Sequence, residues 1–251
     1  MKNSIDGKVV LIAGGAKNLG GLIARDFAGN GAKAIAIHYN SGGSRAAAEE
    51  TAAAVEGAGA KAWLYQADLT SASNMEALFD GAKAQFGGID IAINTVGKVL
   101  RKPIVETTEA EFDEMLAVNA KSAYFFIKEA GWHLNDGGRI ITIVTSLLAA
   151  FTDGYSTYAG GKAPVEHFTR AAAKEFSGRG ISVNNIGPGP MDTPFFYGQE
   201  TPERVAFHKS QAMGNRLTDI NDIVPIVKFL ATDGGWITGQ TIFANGGYTT
   251  R

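Results

Sequence analysis

What most constrains this chain is an alternation: short runs rich in β-branched residues, bounded by glycines, recur between long alanine-rich stretches. The runs are VVLIA at 9–13, AIAIHY at 34–39, AWLYQA at 62–67, IDIAIN at 89–94, RIITIVT at 139–145, ISVNNI at 181–186 and TIFA at 241–244. They read as buried strands of the kind found in parallel sheets with both faces covered. The stretches 19–30, 43–58, 71–86, 108–134, 155–178 and 219–231 read as helices, with apolar spacing such as Met75, Leu78, Phe79 and Ala82 on one face. Repeated strand–helix–strand units imply right-handed crossovers, so an α/β fold is expected, a doubly wound parallel sheet of seven strands with helices on both faces. No linker interrupts the pattern, which makes residues 1–251 a single domain.

Charge and composition exclude several classes of partner. Lys and Arg number 23 against 25 Asp and Glu, without long runs of either sign, so no broad attraction to nucleic acid or anionic lipid is expected. There is no cysteine, and the four histidines are scattered, so neither a disulfide nor a metal site is expected. The opening MKNSIDGKVVLIAGG has an apolar run too short for a membrane span and no signal-peptide pattern, which points to a cytoplasmic protein with a small-molecule partner.

The run at 9–13 enters Gly14-Gly15-Ala16-Lys17-Asn18-Leu19-Gly20 and then a helical pattern. A glycine turn at a helix N-terminus presents unpaired N–H groups and the positive end of the helix dipole, which suits a pyrophosphate. Gly14 lets the chain turn and Gly20 lets helix and strand approach; Ala16, Lys17, Asn18 and Leu19 complete the candidate loop. After the second strand, where an NAD site usually has an acid, the sequence reads His38-Tyr39-Asn40-Ser41. That absence favours NADP(H), with Lys17 as cation for a 2′-phosphate and Tyr39, Asn40, Ser41 and Arg45 beside it.

Tyr158 and Lys162 stand four residues apart on one helix face. Together with the glycine turn, Asp68-Leu69, INTVG at 93–97, Asn119 in MLAVNA, VTS at 144–146, PGPMDT at 188–193 and TGQTIFANGG at 238–247, they resemble the short-chain dehydrogenase/reductase superfamily over almost the whole chain. The resemblance implies a Rossmann-type fold and hydride transfer between NADPH or NADP+ and a carbonyl or alcohol carbon. It implies Tyr158 as general acid/base, Lys162 as ribose ligand lowering the tyrosine pKa, Asn119 as anchor of a water relay, and Thr145 or Ser146 as the hydroxyl holding the substrate oxygen. By spacing that hydroxyl is Thr145; by residue type it is Ser146. Cofactor contacts are further implied at Asn94, Val96, Gly97, Pro188, Gly189, Met191 and Thr193.

Two positions depart from the family pattern: Asn18 replaces a usual glycine, and Asn94-Thr95-Val96-Gly97 replaces an NNAG-like turn. Leu147, Leu148, Tyr155, Pro190, Phe195, Phe196 and Tyr197 are the expected substrate pocket, whose apolar and aromatic character favours a hydrophobic or aryl ketone. Residues 191–215, rich in proline and aromatics, are expected to form a lid. Two other readings stand beside this one: a 3-oxoacyl-carrier-protein-type reductase, disfavoured by the cation-free EAGWHLNDGG, and a non-catalytic nucleotide sensor. The resemblance also implies a homodimer or homotetramer built through the long helices.

Overall fold

In the first strand, Val10 and Ile12 enter one hydrophobic core while Leu11 and Ala13 enter another. Side chains alternate along a strand, so a strand apolar throughout needs helices above and below it. The computed structural model, which describes residues 4–250, supplies both layers. In chain order its main elements are β1 (Val9–Ala13), α1 (Asn18–Gly29), β2 (Ala34–Tyr39), α2 (Arg45–Gly57), β3 (Lys61–Gln66), α3 (Ala72–Phe86), β4 (Ile89–Asn94) and α4 (Glu109–Leu116). They continue with α5 (Ser122–His133), β5 (Leu134–Ile143), α6 (Ser156–Glu175), β6 (Ser182–Pro188), α7 (Pro194–Tyr197), α8 (Pro202–Ser210), α9 (Ile220–Ala231) and β7 (Thr241–Ala244).

The seven strands form one parallel sheet in the order β3-β2-β1-β4-β5-β6-β7, as expected from the sequence. Ile23 and Phe27 of α1, Val55 of α2, and Ile223 and Val227 of α9 cover one face. Leu78 and Phe79 of α3, Phe126 of α5 and Ala172 of α6 cover the other. The α5 helix passes so near the end of α6 that a Cβ on Gly131 would lie 2.1 Å from the Phe176 ring. From β1 the chain winds outward to β3, then returns to β4 on the far side of β1. This switch opens a crevice beyond the carboxyl ends of β1 and β4, where open α/β sheets bind ligands.

Two stretches differ most from the sequence reading. The stretch 108–134 is not one helix: α4, opened by a Thr108–Glu111 capping box, gives way to a π-helical turn over Ala117–Lys121 before α5 resumes. Apolar spacing continues across such a turn, which therefore leaves little trace in the sequence. The fifth strand begins at Leu134, because the polar, glycine-containing Asn135–Gly138 joins it across a register shift against β4. The segment 191–215 contains α7 and α8. Among the described residues, no helix is long and apolar enough to cross a membrane.

Candidate active site

The turn after β1 is held in a conformation that few side chains tolerate. Gly14 has φ 80° and Asn18 φ 49°, both left-handed, and asparagine is the side chain after glycine that best accepts this region. The turn folds so tightly onto α1 that a Cβ on Gly20 would stand 2.2 Å from the Gly14 carbonyl oxygen. Thr95, after β4, donates its hydroxyl to the carbonyls of Ala13 and Gly14 at 2.9 and 3.1 Å. From β2, His38 Nδ1 accepts the Gly14 N–H at 3.1 Å, so the ring proton resides on Nε2 and is donated to the Ala67 carbonyl at 2.9 Å. Burial holds His38 down at about 4, keeping it neutral.

This turn forms one end of a groove of about 890 Å³. Gly14, Lys17, Asn18 and Leu19 line that end, with Asn40 beyond β2 and Asp68 and Leu69 beyond β3. Val96 and Gly97 line its middle, and Lys162, Tyr158, Met191 and Thr193 its other end. Several expected contacts lie elsewhere. Ala16 and Tyr39 pack against Ala48 behind the turn, Ser41 is exposed beside the groove, and Asn94 lies beneath it with its Oδ1 accepting the Val96 N–H at 2.9 Å. Arg45 pairs with Glu49 at 2.8 Å on its own helix.

Tyr158 and Lys162 share the inner face of α6. The buried Lys162 ammonium donates to the Val96 carbonyl at 2.9 Å and the Ile143 carbonyl at 3.0 Å, tying α6 to the ends of β4 and β5. Burial pulls Lys162 down to about 8. The same surroundings push the Tyr158 phenol up to about 12, against the opposing effect of a hydrogen bond with Thr145. Burial outweighs the Thr145 contact at Tyr158, and the Lys162 ammonium is directed at backbone carbonyls.

The geometry separates the two candidate hydroxyls. Thr145 Oγ1 accepts the Leu147 N–H at 3.2 Å and lies close enough to Tyr158 to oppose the rise of its phenol, whereas the Ser146 hydroxyl donates to the Gly187 carbonyl at 3.2 Å. Asn119, fully buried in the π turn, uses its amide on the backbone: Oδ1 accepts from Lys98 N at 3.1 Å, and Nδ2 donates to the carbonyls of Lys98 and Met115 at 2.8 and 3.0 Å. Gly161 lets α6 come this close, since a Cβ there would lie 3.1 Å from that of Asn119.

Next to the groove, and sharing Tyr158 with it, is a second cleft. Thr145, Ser146, Leu147, Tyr155, Pro190, Phe195 and Phe196 line it, and so do Pro188 and Gly189, which the sequence placed on the cofactor. Two expected members are absent. Leu148 turns inward against Ala123, Val144 and Val165, and Tyr197 donates its hydroxyl to Asp192 at 2.8 Å. The sequence reading missed Val99, Gln199, Glu200, His208 and Tyr248, all on the cleft wall. Val99 follows the β4 turn closely enough to be suspected; the others come from the segment after α7, from α8 and from the chain end, and no motif marks them. Glu200 has a fully buried side chain that accepts the Tyr155 hydroxyl, with His208 Nε2 at 3.3 Å and Arg101 Nε at 3.9 Å. Among the described residues there is no cluster of groups able to hold a metal ion.

A strand–glycine turn–helix leading to a Tyr–Lys pair and a hydroxyl beside the tyrosine defines an oxidoreductase class, and comparison with known proteins agrees. Residues 14–249 match a family model described as enoyl-(acyl carrier protein) reductase. A chloroplastic NADPH-dependent aldehyde reductase-like protein of Arabidopsis thaliana is 35% identical, the match covering 96% of this chain and 94% of the relative. The hydroxynaphthalene reductase of Aspergillus fumigatus is 32% identical over 94% of this chain and 90% of its own. A Burkholderia cenocepacia protein described as a dehydrogenase, solved with NADP bound, superimposes with a TM-score of 0.98 at 66% identity, covering 100% of this chain and 97% of that one. The chain belongs to the short-chain dehydrogenase/reductase family of oxidoreductases.

Proposed function

We propose that the protein is an NADPH-dependent reductase of ketones with an apolar or aryl body, with Tyr158 as general acid. The observation that carries this is the position of Tyr158, on the wall of both groove and cleft, with Thr145 on the same cleft wall. The groove suits a dinucleotide. The α1 N-terminus faces it, Lys17 and Asn40 stand where an acid would repel a 2′-phosphate, and Thr193 Oγ and Asn94 Nδ2 are buried without a partner in its wall or floor. Asp68, the acid at that end, is engaged by the Thr70 N–H and hydroxyl, both at 2.9 Å.

When bound, NADPH supplies a hydride to the carbonyl carbon and becomes NADP+. Tyr158 gives its proton to the carbonyl oxygen, and Thr145 holds that oxygen as negative charge develops. Lys162 places a cation beside the tyrosine and is the ligand for the nicotinamide ribose. Asn119 acts through the Lys98 backbone that its amide fixes. Residues 191–215 serve as the lid, carrying Phe195, Phe196 and Glu200 over the cleft. Exposed Tyr124 and Trp132 on α5 fit a homodimer or homotetramer built through that helix.

The test follows nicotinamide absorbance with NADPH and NADH against aryl ketones, aliphatic ketones, sugars and acetoacetyl thioesters. Reduction of aryl ketones with NADPH is expected, with Tyr158→Phe abolishing turnover and Thr145→Ala costing about a hundredfold, more than Ser146→Ala. A fully active Tyr158→Phe variant overturns the mechanism. A preference for NADH overturns the reading of Lys17 and Asn40.

A further inference from the structure

The apolar cleft has a polar end that the chemistry above does not use. Glu200, His208 and Tyr155 are buried there, together with the partly exposed Arg101 and Tyr248. They come from five separate stretches of chain, and four of them share the cleft wall with Tyr158. Their hydrogen bonding is incomplete. Glu200 Oε1 is met by the Tyr155 hydroxyl, and His208 Nδ1 pairs with the Tyr248 hydroxyl at 2.8 Å. Yet Glu200 Oε2, His208 Nε2 and Arg101 Nε are all buried with no hydrogen-bond partner, although His208 Nε2 lies 3.3 Å from Glu200 Oε1 and Arg101 Nε 3.9 Å from Glu200 Oε2. Three unsatisfied polar atoms at one place, one of them on a buried carboxylate, are costly enough to imply something that satisfies them.

We propose that this cluster is a specificity site for a hydroxyl group on the substrate, remote from the carbonyl, so that the preferred substrate is a hydroxylated ketone with an apolar or aryl body. This rests on the reductase reading and narrows it. The charges choose the group. A second carboxylate would meet Glu200, while Arg101 and Arg204 are already bound to Asp153 at 3.2 and 2.7 Å. An ammonium would meet Arg101, whose Nε is 3.9 Å from Glu200 Oε2. A neutral hydroxyl donates to the carboxylate oxygen and accepts from an N–H, supplying both kinds of bond that are missing. The Tyr155 ring, its centroid 6.4 Å from that of Tyr158, stands between the polar end and the reacting end of the one cleft that both line.

The experiment uses the full chain and three aryl methyl ketones that bear a para hydroxyl, a para methoxyl or no substituent. Two quantities are read: kcat/KM with NADPH, and the dissociation constant of each ketone by calorimetry with NADP+ present. We expect the hydroxylated ketone to exceed the others by at least about tenfold in both, and Glu200→Gln to bring the ratio to within about threefold of unity, as for a site built around a hydrogen bond. Tyr248→Phe, which removes one hydroxyl and keeps the ring, is expected to reduce the same ratio and serves where Glu200→Gln does not fold. Reduction of all three ketones at similar efficiency overturns the hydroxyl site and leaves the reductase reading intact. Tighter, Glu200-dependent binding of the hydroxylated ketone without turnover upholds the site and overturns the reductase reading. Neither binding preference nor turnover overturns both.

Discussion

Lowering the pH should weaken this fold through His38, and the amount follows from its surroundings. The ring is wedged between the Gly14 N–H and the Ala67 carbonyl, and burial brings its pKa from 6.5 to about 4. Between those values the unfolded chain binds a proton that the folded chain does not, so stability falls as pH drops through 6.5 and this loss levels off near 4. At about 1.4 kcal/mol per pH unit, the full displacement amounts to about 3 kcal/mol, of which about 2.5 is lost between pH 7 and 4.5. Other groups titrate in this range, so the informative quantity is a difference. Urea unfolding of wild type and His38→Gln should be compared at intervals from pH 7 to 4.5. Wild type is expected to lose about 2.5 kcal/mol more than the variant over that range. Equal losses, within about 0.5 kcal/mol, would show that His38 is not held neutral by the fold, and the role of Nδ1 as acceptor for Gly14 would fall with it.

Gly20→Ala is expected to weaken NADPH binding at least tenfold in a calorimetric titration, because the new Cβ would meet the Gly14 carbonyl oxygen at 2.2 Å and the turn would have to open. Unchanged affinity would refute that tight approach. Gly131→Ala should destabilise the fold by about 1–3 kcal/mol in urea unfolding, and Phe176→Leu should recover part of the loss in a double-mutant cycle, since the clash is with that ring. Strict additivity would place the strain elsewhere.

The sheet was readable from the chain because both of its determinants are local: uniformly apolar runs of strand length and amphipathic stretches between them. What the sequence could not show depended on a neighbour distant in the chain or on a single added backbone residue. The π turn at Ala117–Lys121 leaves the apolar pattern nearly unchanged but places Asn119 with its amide on Lys98 rather than facing the groove. Leu147 and Leu148 are adjacent and chemically alike, and only the short helical turn after Thr145 decides that the first faces the cleft and the second the core. Thr145 and Ser146 posed the same problem. Gly187 on β6, distant in the chain, takes the serine hydroxyl on its carbonyl and so gives the two different surroundings. Glu200 illustrates the extreme case, since an acid between a glutamine and a threonine has no local signature, and its partners Tyr155, Arg101 and His208 lie on three other stretches of the chain.

The i,i+4 pair of Tyr158 and Lys162 first reads as a lysine that acidifies a tyrosine, but the desolvation of both changes the argument. Desolvation favours the uncharged form of each: it raises the phenol to about 12 and lowers the ammonium to about 8. At neutral pH the phenol is therefore protonated, which is the form a ketone reduction consumes, while Lys162 still carries its charge, donated to the carbonyls of Val96 and Ile143. The reverse reaction needs the phenolate, the form that burial opposes. Under the proposed chemistry the phenol is thus in its proton-donating form near neutrality, and a role for Lys162 in lowering the tyrosine must be exercised against that desolvation rather than read from spacing alone.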